Sequence, residues 1–563
     1  MEEENISKPS ALIAKLTSEK KVAYEFQERK HDHWRQTYEL YRDYVATNRL
    51  TQRQAVNFPL LKETIKTTLA KIDDPPKVVF KCLEKGDKGR EKEFILKELW
   101  DYYTNKLNLE GQDLLDKKNV LMTGRSHIKL NFLEKKFKCE VLENWDCLID
   151  PKVSALDIES AKWFIHQNIF RSLREILANK KYEEKGKQEL KQFLNSKEGM
   201  ILSGDTKLAL DDKNERLRNL GVDNFDDFGA RDVIIELKEH YTNIWNTQTK
   251  KFERWVIIYA LDNIILFQKK LKDVLGVDFL PFVTWADDIE VNDYWSDGQA
   301  DVVRVPNKIL NIWLSQMLEN RTLINYGMSW FDATNPAFRP QSFTPKPFGM
   351  YPSPGDPNTV IKQVDIPNLA GSIQEMEFIK ALVERVTATT AIEKGTSEKK
   401  QITLGETQIL AGRSQERFIN IAKHYRKRTE QLAEKWYEIM DAGTSIADSV
   451  KLYKESFKGN MFEKEIKSSD WKSKAGYKIK VLSSSEQEME KSEELQKWSA
   501  LKQMFVNNPA LQKIADRRIL EAMNLTPEEM KEVESAPAAM PQQPQPMSTQ
   551  RPVQLPTMPQ LTR

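Results

Sequence analysis

The sequence has few of the residues that carry most protein chemistry. Its 563 residues include three cysteines and six histidines. Cys82, Cys139 and Cys147 are too few for a disulfide framework and wrongly spaced for a zinc site, which suggests a reducing compartment. Cys139 and Cys147 flank predicted strands, so we expect them to be buried. His31 and His33 lie two positions apart in a predicted helix and face different directions, so we expect surface histidines and no shared metal.

Long apolar runs and an excess of one charge are also missing. No eighteen apolar residues run together, and the opening "MEEENISKPSALIAKL" has no basic segment followed by an apolar one. We therefore expect an intracellular protein without a membrane span. The 86 Lys+Arg residues against 84 Asp+Glu leave a formal charge of +2. Any contact with DNA must then come from local basic patches.

Motifs for catalysis are absent. There is no phosphate-binding G-x-x-x-x-G-K-[ST], no G-x-G-x-x-G after a strand, no G-x-S-x-G and no H-E-x-x-H. The carboxylates Asp146, Asp150 and Asp157 surround a proline, and turn chemistry explains them better than a metal site does. We predict no catalytic residues, no metal and no cofactor. A nuclease remains the enzymatic alternative, with "WDCLIDP" as its only candidate site.

The first half of the chain has the pattern of an α+β domain. Residues 22–45, 56–72 and 90–122 have helical spacing, and "KVVFKCLE" reads as a strand. In "SHIKLNFLEKKFKCEVLENWDCLIDP" the period changes to two, which predicts a hairpin leading to a turn at Asp150. A strand "SAKWFIHQNIF", a helix "RSLREILANKKYEEKGKQELKQFL" and a β-rich stretch over 231–284 complete the domain.

The second half is dominated by three helices. The first, over 299–326, starts in earnest near Pro306 and is apolar around most of its circumference, which predicts burial on more than one side. A Pro/Gly-rich stretch follows, in which neither helix nor central strand can persist. A capping box from Ser372 to Glu375 begins the second helix, with one face marked by Met376, Ile379, Val383 and Val386.

The third helix begins at a second possible capping box, Thr403 to Glu406, and runs to about Met440. Phe418, Tyr425, Leu432 and Ile439 recur in it every seven residues. A shorter αβ and helical segment follows, and the Pro/Gln-rich end of the sequence cannot bury a core, so we predict that it is disordered.

This order of elements resembles the portal protein, or head–tail connector, of tailed bacteriophages. "VNFPLLKETIKTTLAKI" is similar to an early helix of the family's wing domain, and "VLENWDCLIDPKVSALDIESAKWFIHQNIFRSLREI" to its strand, Asp-Pro turn, strand and helix. "LPFVTWADDIEVNDYWSDGQADVVRVPNKILNIWLSQMLENR" resembles the entry into the stem. "TATTAIEKGTSEKKQITLGETQILAGRSQERFINIAKHYRKRTEQL" resembles the tunnel loop and the helix behind it. The resemblance covers roughly residues 25–445, and no family pattern is recognisable beyond 480.

The resemblance implies a division of the chain into named parts. These are an N-terminal region and α/β wing (1–298), a first stem helix (299–326), an irregular clip (327–369), a second stem helix (370–388), a tunnel loop (389–405), a long wing helix (406–445), a crown-like αβ and helical region (446–534) and a disordered tail (535–563).

The resemblance also implies a function and partners. A portal is a homo-oligomeric, dodecameric ring at one capsid vertex of the virion, through which double-stranded DNA is packaged and ejected. It binds DNA non-specifically, and it contacts the terminase large subunit, the major capsid or scaffold protein and a head–tail adaptor protein. Lys394, Lys399 and Lys400 of the tunnel loop would face the DNA as point charges, and their contact with its phosphates would be weak and independent of sequence. The clip aromatics Phe343, Phe348 and Tyr351 would contact the adaptor.

Other interpretations of the same residues stay open. A core helix in a monomer is as apolar as the helix over 299–326, and a solvated helix–helix loop can be as basic as residues 389–405. An internal scaffold or minor capsid protein would be phage-like without a channel. A cellular helical adaptor would use the Pro/Gln-rich tail to bind its partners.

Overall fold

The computed structural model describes residues 9–42, 56–72, 77–84, 86–133, 136–194, 234–246, 248–326, 329–331, 361–363, 372–387, 404–442, 450–455, 461–466 and 468–482, with isolated residues and one short stretch besides. The chain divides into two compact units, residues 1–452 with 465–486, and residues 453–464 with 487–563. In the second unit, Lys502 and Asp516 form an ion pair with an N–O distance of 2.5 Å. The first unit holds the core and all the sites below.

Helices and strands both contribute to this core, which confirms the predicted α+β class. The described helices are α1 (Pro9–Tyr41), α2 (Leu60–Ile72), α3 (Asp87–Lys106), α4 (Leu109–Thr123), α5 (Leu173–Ala178), α6 (Glu184–Leu194), α7 (Leu271–Leu275), α8 (Gln299–Tyr326), α9 (Ser372–Thr387), α10 (Leu404–Ala442) and α11 (Ser468–Trp471). By length and hydropathy, none of these described helices could cross a membrane.

The strands form small antiparallel sheets. They are β1 (Lys77–Cys82), β2 (Arg125–Leu133), β3 (Lys136–Leu142), β4 (Cys147–Ile149), β5 (Trp163–Ser172), β6 (Ile234–Asn246), β7 (Lys251–Ala260), β8 (Ile264–Lys270), β9 (Phe282–Ala286), β10 (Ser329–Phe331), β11 (Ile361–Gln363), β12 (Val450–Glu455), β13 (Met461–Ile466) and β14 (Tyr477–Leu482). The largest sheet has the order β4-β5-β6-β7-β8, and a second has the order β3-β2-β9.

The hairpin predicted from the period of two is present as β2 and β3. Ile128 lies opposite Val141 and Leu130 opposite Cys139, so the alternating apolar residues share one face of the sheet. Strand β9 extends this sheet on the other side of β2. The helical pattern of α1 and the predicted strands β1 and β5 are confirmed as well.

Gly124 joins α4 to this sheet and allows a close approach of two segments. It ends α4 in the left-handed region at φ 83° and donates its N–H to the Val120 carbonyl at 2.8 Å. A Cβ at this position would lie 1.9 Å from the Ser296 carbonyl oxygen. Only glycine therefore lets the chain before α8 pack against the end of α4.

Two predicted helices are interrupted in the structure. The helix over 90–122 is divided into α3 and α4 by Asn108, which adopts the left-handed conformation at φ 50°. The helix predicted after β5 is divided into α5 and α6. Between them the Asn179 side chain accepts a hydrogen bond from the Lys181 N–H, and Glu183 donates its N–H to the Leu266 carbonyl of β8. An asparagine in a helical pattern thus marks each break.

Helix α8 has the predicted bounds and is already helical before Pro306, near which we expected it to start in earnest. It starts at Gln299 and includes Pro306 in its interior. The Asp301 carboxylate accepts a hydrogen bond from the Gly298 N–H at 3.0 Å, which satisfies a backbone donor just outside the helix. The N-terminus of the helix is therefore fixed locally at residues 298–301, and the bounds 299–326 agree with the sequence pattern.

Strand β14 pairs with a strand near the start of the chain, and the sequence alone did not predict this pairing. It pairs antiparallel with β1, about four hundred positions earlier, with Phe80 opposite Ile479 and Val78 opposite Val481. These side chains face the main hydrophobic core, which also includes Trp100 of α3. The two strands are amphipathic, and each covers its apolar face only when paired and packed on helices.

Candidate functional site

The residues predicted to touch DNA or an adaptor lie outside the part of the chain that the structure describes. These are Lys394, Lys399 and Lys400 in the predicted tunnel loop, and Phe343, Phe348 and Tyr351 in the predicted clip. The elements that flank them are described. The short strands β10 and β11 pair antiparallel, with Trp330 opposite Lys362, and bring the two ends of the Pro/Gly-rich insert together.

Helix α8 is the centre of the candidate site because it has two different apolar faces. One face packs on the body of the protein through Val303 and Leu310, which are buried with residues of α2 and α4. Helix α9 packs alongside α8. This inner face corresponds to the burial that the sequence predicts.

Polar residues on this inner face receive the backbone that leads into α2. The Asn307 side-chain oxygen accepts a hydrogen bond from the Leu61 N–H at 3.0 Å, and the Asn311 oxygen accepts one from the Phe58 N–H at 2.7 Å. The Ser315 hydroxyl accepts a third from the Val56 N–H. Residues 307, 311 and 315 are four apart, so they lie on one side of α8 and fix the start of α2. In the sequence, the only sign of this role is that these polar residues recur every four positions in a mostly apolar helix.

The opposite face of α8 presents a second apolar stripe to solvent. Val302, Val305, Ile309 and Ile312 are spaced three and four residues apart and are between 36% and 56% exposed. Because successive residues turn about 100° around a helix, these positions lie roughly opposite Val303 and Leu310. We call the four residues the outer stripe. Among the described residues, α8 is buried on one side only, so the predicted burial on more than one side is not seen there.

Helix α9 shows the same division. Val383 is buried and Met376 and Ile379 are partly buried against the core that contains α8, as the sequence predicts. Val386 was predicted on this face but is 53% exposed, and Thr387 is buried in its place. Thr387 lies four residues after Val383, whereas Val386 lies three after it and falls on the flank of the helix.

Phe378 and Leu382 continue the exposed apolar surface on α9. Phe378 is 64% exposed, and Leu382 and Val386 follow it at intervals of four residues on the same face. These three residues form an exposed apolar stripe on α9.

Helix α10 packs on the sheets and helices of residues 77–286, which we call the α/β body. Phe418, Tyr425, Leu432 and Ile439 are all at most 5% exposed, which confirms that the seven-residue repeat is the buried face. Trp436 lies beside them and packs edge-on against Trp100, with ring centroids 5.1 Å apart.

Charged contacts hold the same helix. The Lys435 ammonium donates to the Glu159 carboxylate at 2.5 Å, and Arg254 of β7 donates to the other oxygen of Glu159 at 2.5 Å. Although burial alone would raise it, the Lys435 ammonium and the hydrogen bonds from Leu280 and Arg254 hold the pKa of Glu159 below its usual value. Glu159 therefore joins α10 to the large sheet as an ion.

The carboxylates considered for a metal site are engaged in structural hydrogen bonds. Asp150 accepts from the backbone N–H groups of Lys152 and Lys162, and Asp157 accepts from the N–H of Glu159. Asp146 accepts from the Asn168 amide at 2.7 Å. Across the described residues there is no group of three or more His, Cys, Asp or Glu that could hold a metal ion. The turn interpretation fits the structure for Asp150 and Asp157.

Cys147 and His33 lie where the sequence predicts, in the core and at the surface, whereas Cys139 and His31 are each partly buried. Cys147 is fully buried and Cys139 partly buried, and burial raises the pKa of both thiols, to about 12 for Cys139. His33 is exposed, and the half-buried His31 contacts Gln27 at 3.0 Å. The histidine of note is His127, which is buried and which sequence reasoning did not single out.

His127 lies in a buried network in which each hydrogen bond fixes the next. The Asn144 amide nitrogen donates to the Thr123 hydroxyl and to the Arg125 carbonyl, so the Asn144 amide oxygen faces His127 Nδ1 at 3.0 Å and accepts a hydrogen bond from it. His127 Nε2 is then unprotonated and accepts from the Tyr294 hydroxyl at 2.8 Å. Burial, and then the nearby Arg125 guanidinium, lower the pKa of His127 to about 3. The ring is neutral and structural.

Comparisons with known proteins add little to this geometry. No protein-family model matches the chain. No curated protein matches it either. Among solved structures, a chain of the virion of a native gene transfer agent particle aligns with a TM-score of 0.32 and 8% identity, over 71% of this chain and 81% of that chain. A similarity this low carries no argument about function.

Proposed function

We propose that the chain is the portal protein of a phage-like particle. In this proposal it forms a closed ring at one capsid vertex, with α8 and α9 as stem helices, the insert bounded by β10 and β11 as the clip, and the α/β body with α10 as the wing. The DNA would pass along the axis during packaging and ejection. The chain would do no chemistry itself, and a separate terminase ATPase would drive the DNA.

The outer stripe carries the proposal. Four aliphatic side chains on the solvent side of a 28-residue helix leave roughly 300 Å² of surface uncovered, about the size of the largest apolar patch on a typical monomer, which is often functional. A ring explains the arrangement because every subunit has one neighbour on each side, so a helix can be buried by its own chain and by the next. Helix α9 also has one face buried by its own chain and one exposed apolar face, as a helix between two ring neighbours would have.

The order of elements supports the same conclusion. A mixed α/β body is followed by a long helix, an insert whose ends are paired, a second helix beside the first, and a long third helix that returns to the body. The partners are those of a portal: further copies of this chain, double-stranded DNA, the terminase large subunit, the capsid or scaffold protein, and a head–tail adaptor. The predicted clip and tunnel-loop residues supply the adaptor and DNA contacts.

The experiment that tests the proposal is electron microscopy of the purified protein, combined with its mass from light scattering. We expect rings with a central hole and a mass of about twelve chains. Assemblies without a hole, whatever their mass, would instead agree with an internal scaffold or minor capsid protein. A protein that stays monomeric with and without a co-expressed scaffold would refute the ring.

A further inference from the structure

Strands β1 and β14 form a two-stranded ribbon with two very different faces. The inner face carries six residues, of which Phe80 and Ile479 lie opposite each other in the hydrophobic core. The outer face carries the other six in three cross-strand pairs: Lys77 with Leu482, Val79 with Lys480, and Lys81 with Lys478. Four of the six outer positions are therefore lysine, and none is acidic.

The lysines of this outer face are placed where they repel each other. Lys81 and Lys478 are directly opposite, and like charges in such a pair destabilise an antiparallel ribbon. Lys81, Lys478 and Lys480 are all exposed and have no ion-pair partner among the residues that the structure describes. At the margin, Lys77 lies near the Asp101 carboxylate. We call Lys81, Lys478 and Lys480 the lysine ribbon.

The carboxylates next to the ribbon that the structure describes are bonded to other groups. Glu84, just beyond β1, accepts from the Lys92 ammonium at 2.8 Å and from the Ser473 hydroxyl at 2.8 Å. Glu93 accepts from the backbone N–H of Cys82 at 2.7 Å. The whole chain has a formal charge of only +2, so this density of positive charge is a local feature rather than a property of the surface in general.

We propose that the lysine ribbon binds the phosphate backbone of double-stranded DNA without regard to sequence. Lysine is depleted at protein–protein interfaces, and the only apolar residues on this face, Val79 and Leu482, are half-buried, so the ribbon lacks the apolar centre that a protein partner needs. Lysine ammonium groups are suited to phosphate contacts, which give affinity and position without reading bases.

This site is separate from the predicted tunnel loop and does not depend on the ring. The proposed function places DNA contacts at Lys394, Lys399 and Lys400, whereas the ribbon belongs to the α/β body. A monomer could also bind DNA through the ribbon. The oligomeric state is measured in a separate experiment, so the two proposals can fail independently.

The test compares binding of a fluorescent 30-base-pair duplex of arbitrary sequence to three full-length proteins. These are the unchanged protein, the variant K81Q/K478Q/K480Q, and a control that loses the same charge from exposed positions around α6, K180Q/K185Q/K191Q. We expect the ribbon variant to bind at least about tenfold more weakly. Its affinity should also depend less on salt, with the slope of log K against log salt smaller by about 2–3, since three phosphate contacts are lost.

Two results would overturn the proposal. If the ribbon variant and the control bind DNA equally well, the lysines only solvate the surface. If the ribbon variant keeps its DNA affinity but loses binding to labelled poly-glutamate, the face recognises an acidic protein instead. Light scattering and circular dichroism of all three proteins show whether assembly and folding are unchanged.

Discussion

Arg428 of α10 donates its guanidinium to the Asp116 carboxylate of α4 at 2.6 Å, and neither side chain has any exposed surface. A second carboxylate, Asp113, accepts from the same guanidinium at 2.8 Å, and the Trp285 indole donates to Asp116 at 2.6 Å. Although burial alone would lower it, the two carboxylates raise the pKa of Arg428. A buried ion pair of this kind fixes α10 on α4 in a single register.

Removing the arginine should therefore be costly. Arg428→Ala leaves the Asp116 carboxylate buried without its partner, and we expect a loss of about 3–5 kcal/mol in the free energy of unfolding. The measurement is chemical denaturation followed by tryptophan fluorescence, with circular dichroism as a second probe. The loss should appear as a lower denaturation midpoint in the tryptophan signal, to which Trp436 of α10 contributes.

Two further variants separate the buried pair from ordinary surface charge. Lys427→Ala removes an exposed ammonium next to Arg428 that pairs with Glu430, and it should change stability by less than about 1 kcal/mol. Adding Asp116→Asn to Arg428→Met should recover part of the loss, because no unpaired charge then stays buried. Equal losses for Arg428→Ala and Lys427→Ala would contradict a structural role for the pair.

His127 predicts how stability depends on pH. Its pKa is about 3 in the folded protein against an ordinary 6.5, so below pH 6.5 the unfolded chain binds a proton that the folded chain does not. Stability from this group is complete above pH 6.5 and falls toward pH 3, by about 1.4 kcal/mol for each pH unit. His240, whose pKa is lowered chiefly by burial, acts in the same direction.

Denaturation midpoints between pH 7.5 and 4.5 test this expectation. His127→Gln should be less stable near neutral pH, but its stability should fall less steeply below pH 6.5, because one titrating group has gone. Tyr294→Phe is the matched control, since it removes the hydrogen bond to Nε2 and keeps the histidine. Parallel curves for His127→Gln and Tyr294→Phe would show that His127 does not cause the slope.

Local patterns predicted local structure well. The hairpin of β2 and β3 and the buried repeat at Phe418, Tyr425, Leu432 and Ile439 follow from periodicity, because each period places apolar residues on one face. Long-range pairing did not follow. Nothing in β1 specifies β14 as its neighbour, since many amphipathic strands would cover the same apolar face.

The candidate site was predictable in part. The sequence showed that α8 is apolar around most of its circumference, but not which of its apolar residues the described part of the chain leaves exposed. Burial depends on which helices of the same chain reach α8, and that is decided by contacts between distant residues. The polar residues Asn307 and Asn311 have a role only once the segment before α2 is in place.

The outer stripe should be required for assembly and not for folding. Ile309→Asp with Ile312→Asp places two charges where the proposed neighbour packs, and burying each unpaired carboxylate would cost several kcal/mol. We expect this variant to fold and to fail to form rings, as measured by light scattering and microscopy. Leu156→Asp with Val291→Asp makes the same kind of change, from aliphatic to aspartate, at two of the most exposed aliphatic positions, and this variant should assemble normally. Rings formed equally well by both double variants would remove the stripe from the interface.

The predicted tunnel loop leads to a separate expectation about DNA. Lys399→Glu with Lys400→Glu replaces two positive charges by negative ones, and in a twelve-membered ring this change would be repeated around the channel. Sliding DNA tolerates weak, sequence-independent contacts but is repelled by a band of like charge. We therefore expect rings to assemble normally while DNA packaging or retention falls.

The measurement is the DNA content of particles assembled with each variant, alongside the mass of the purified ring. Lys62→Glu with Lys66→Glu, on the described helix α2, is a control with the same change in charge outside the loop. Loss of DNA only in the loop variant would place the lysines next to the DNA. Normal DNA content in that variant, with intact rings, would show that residues 389–405 form an ordinary solvated loop.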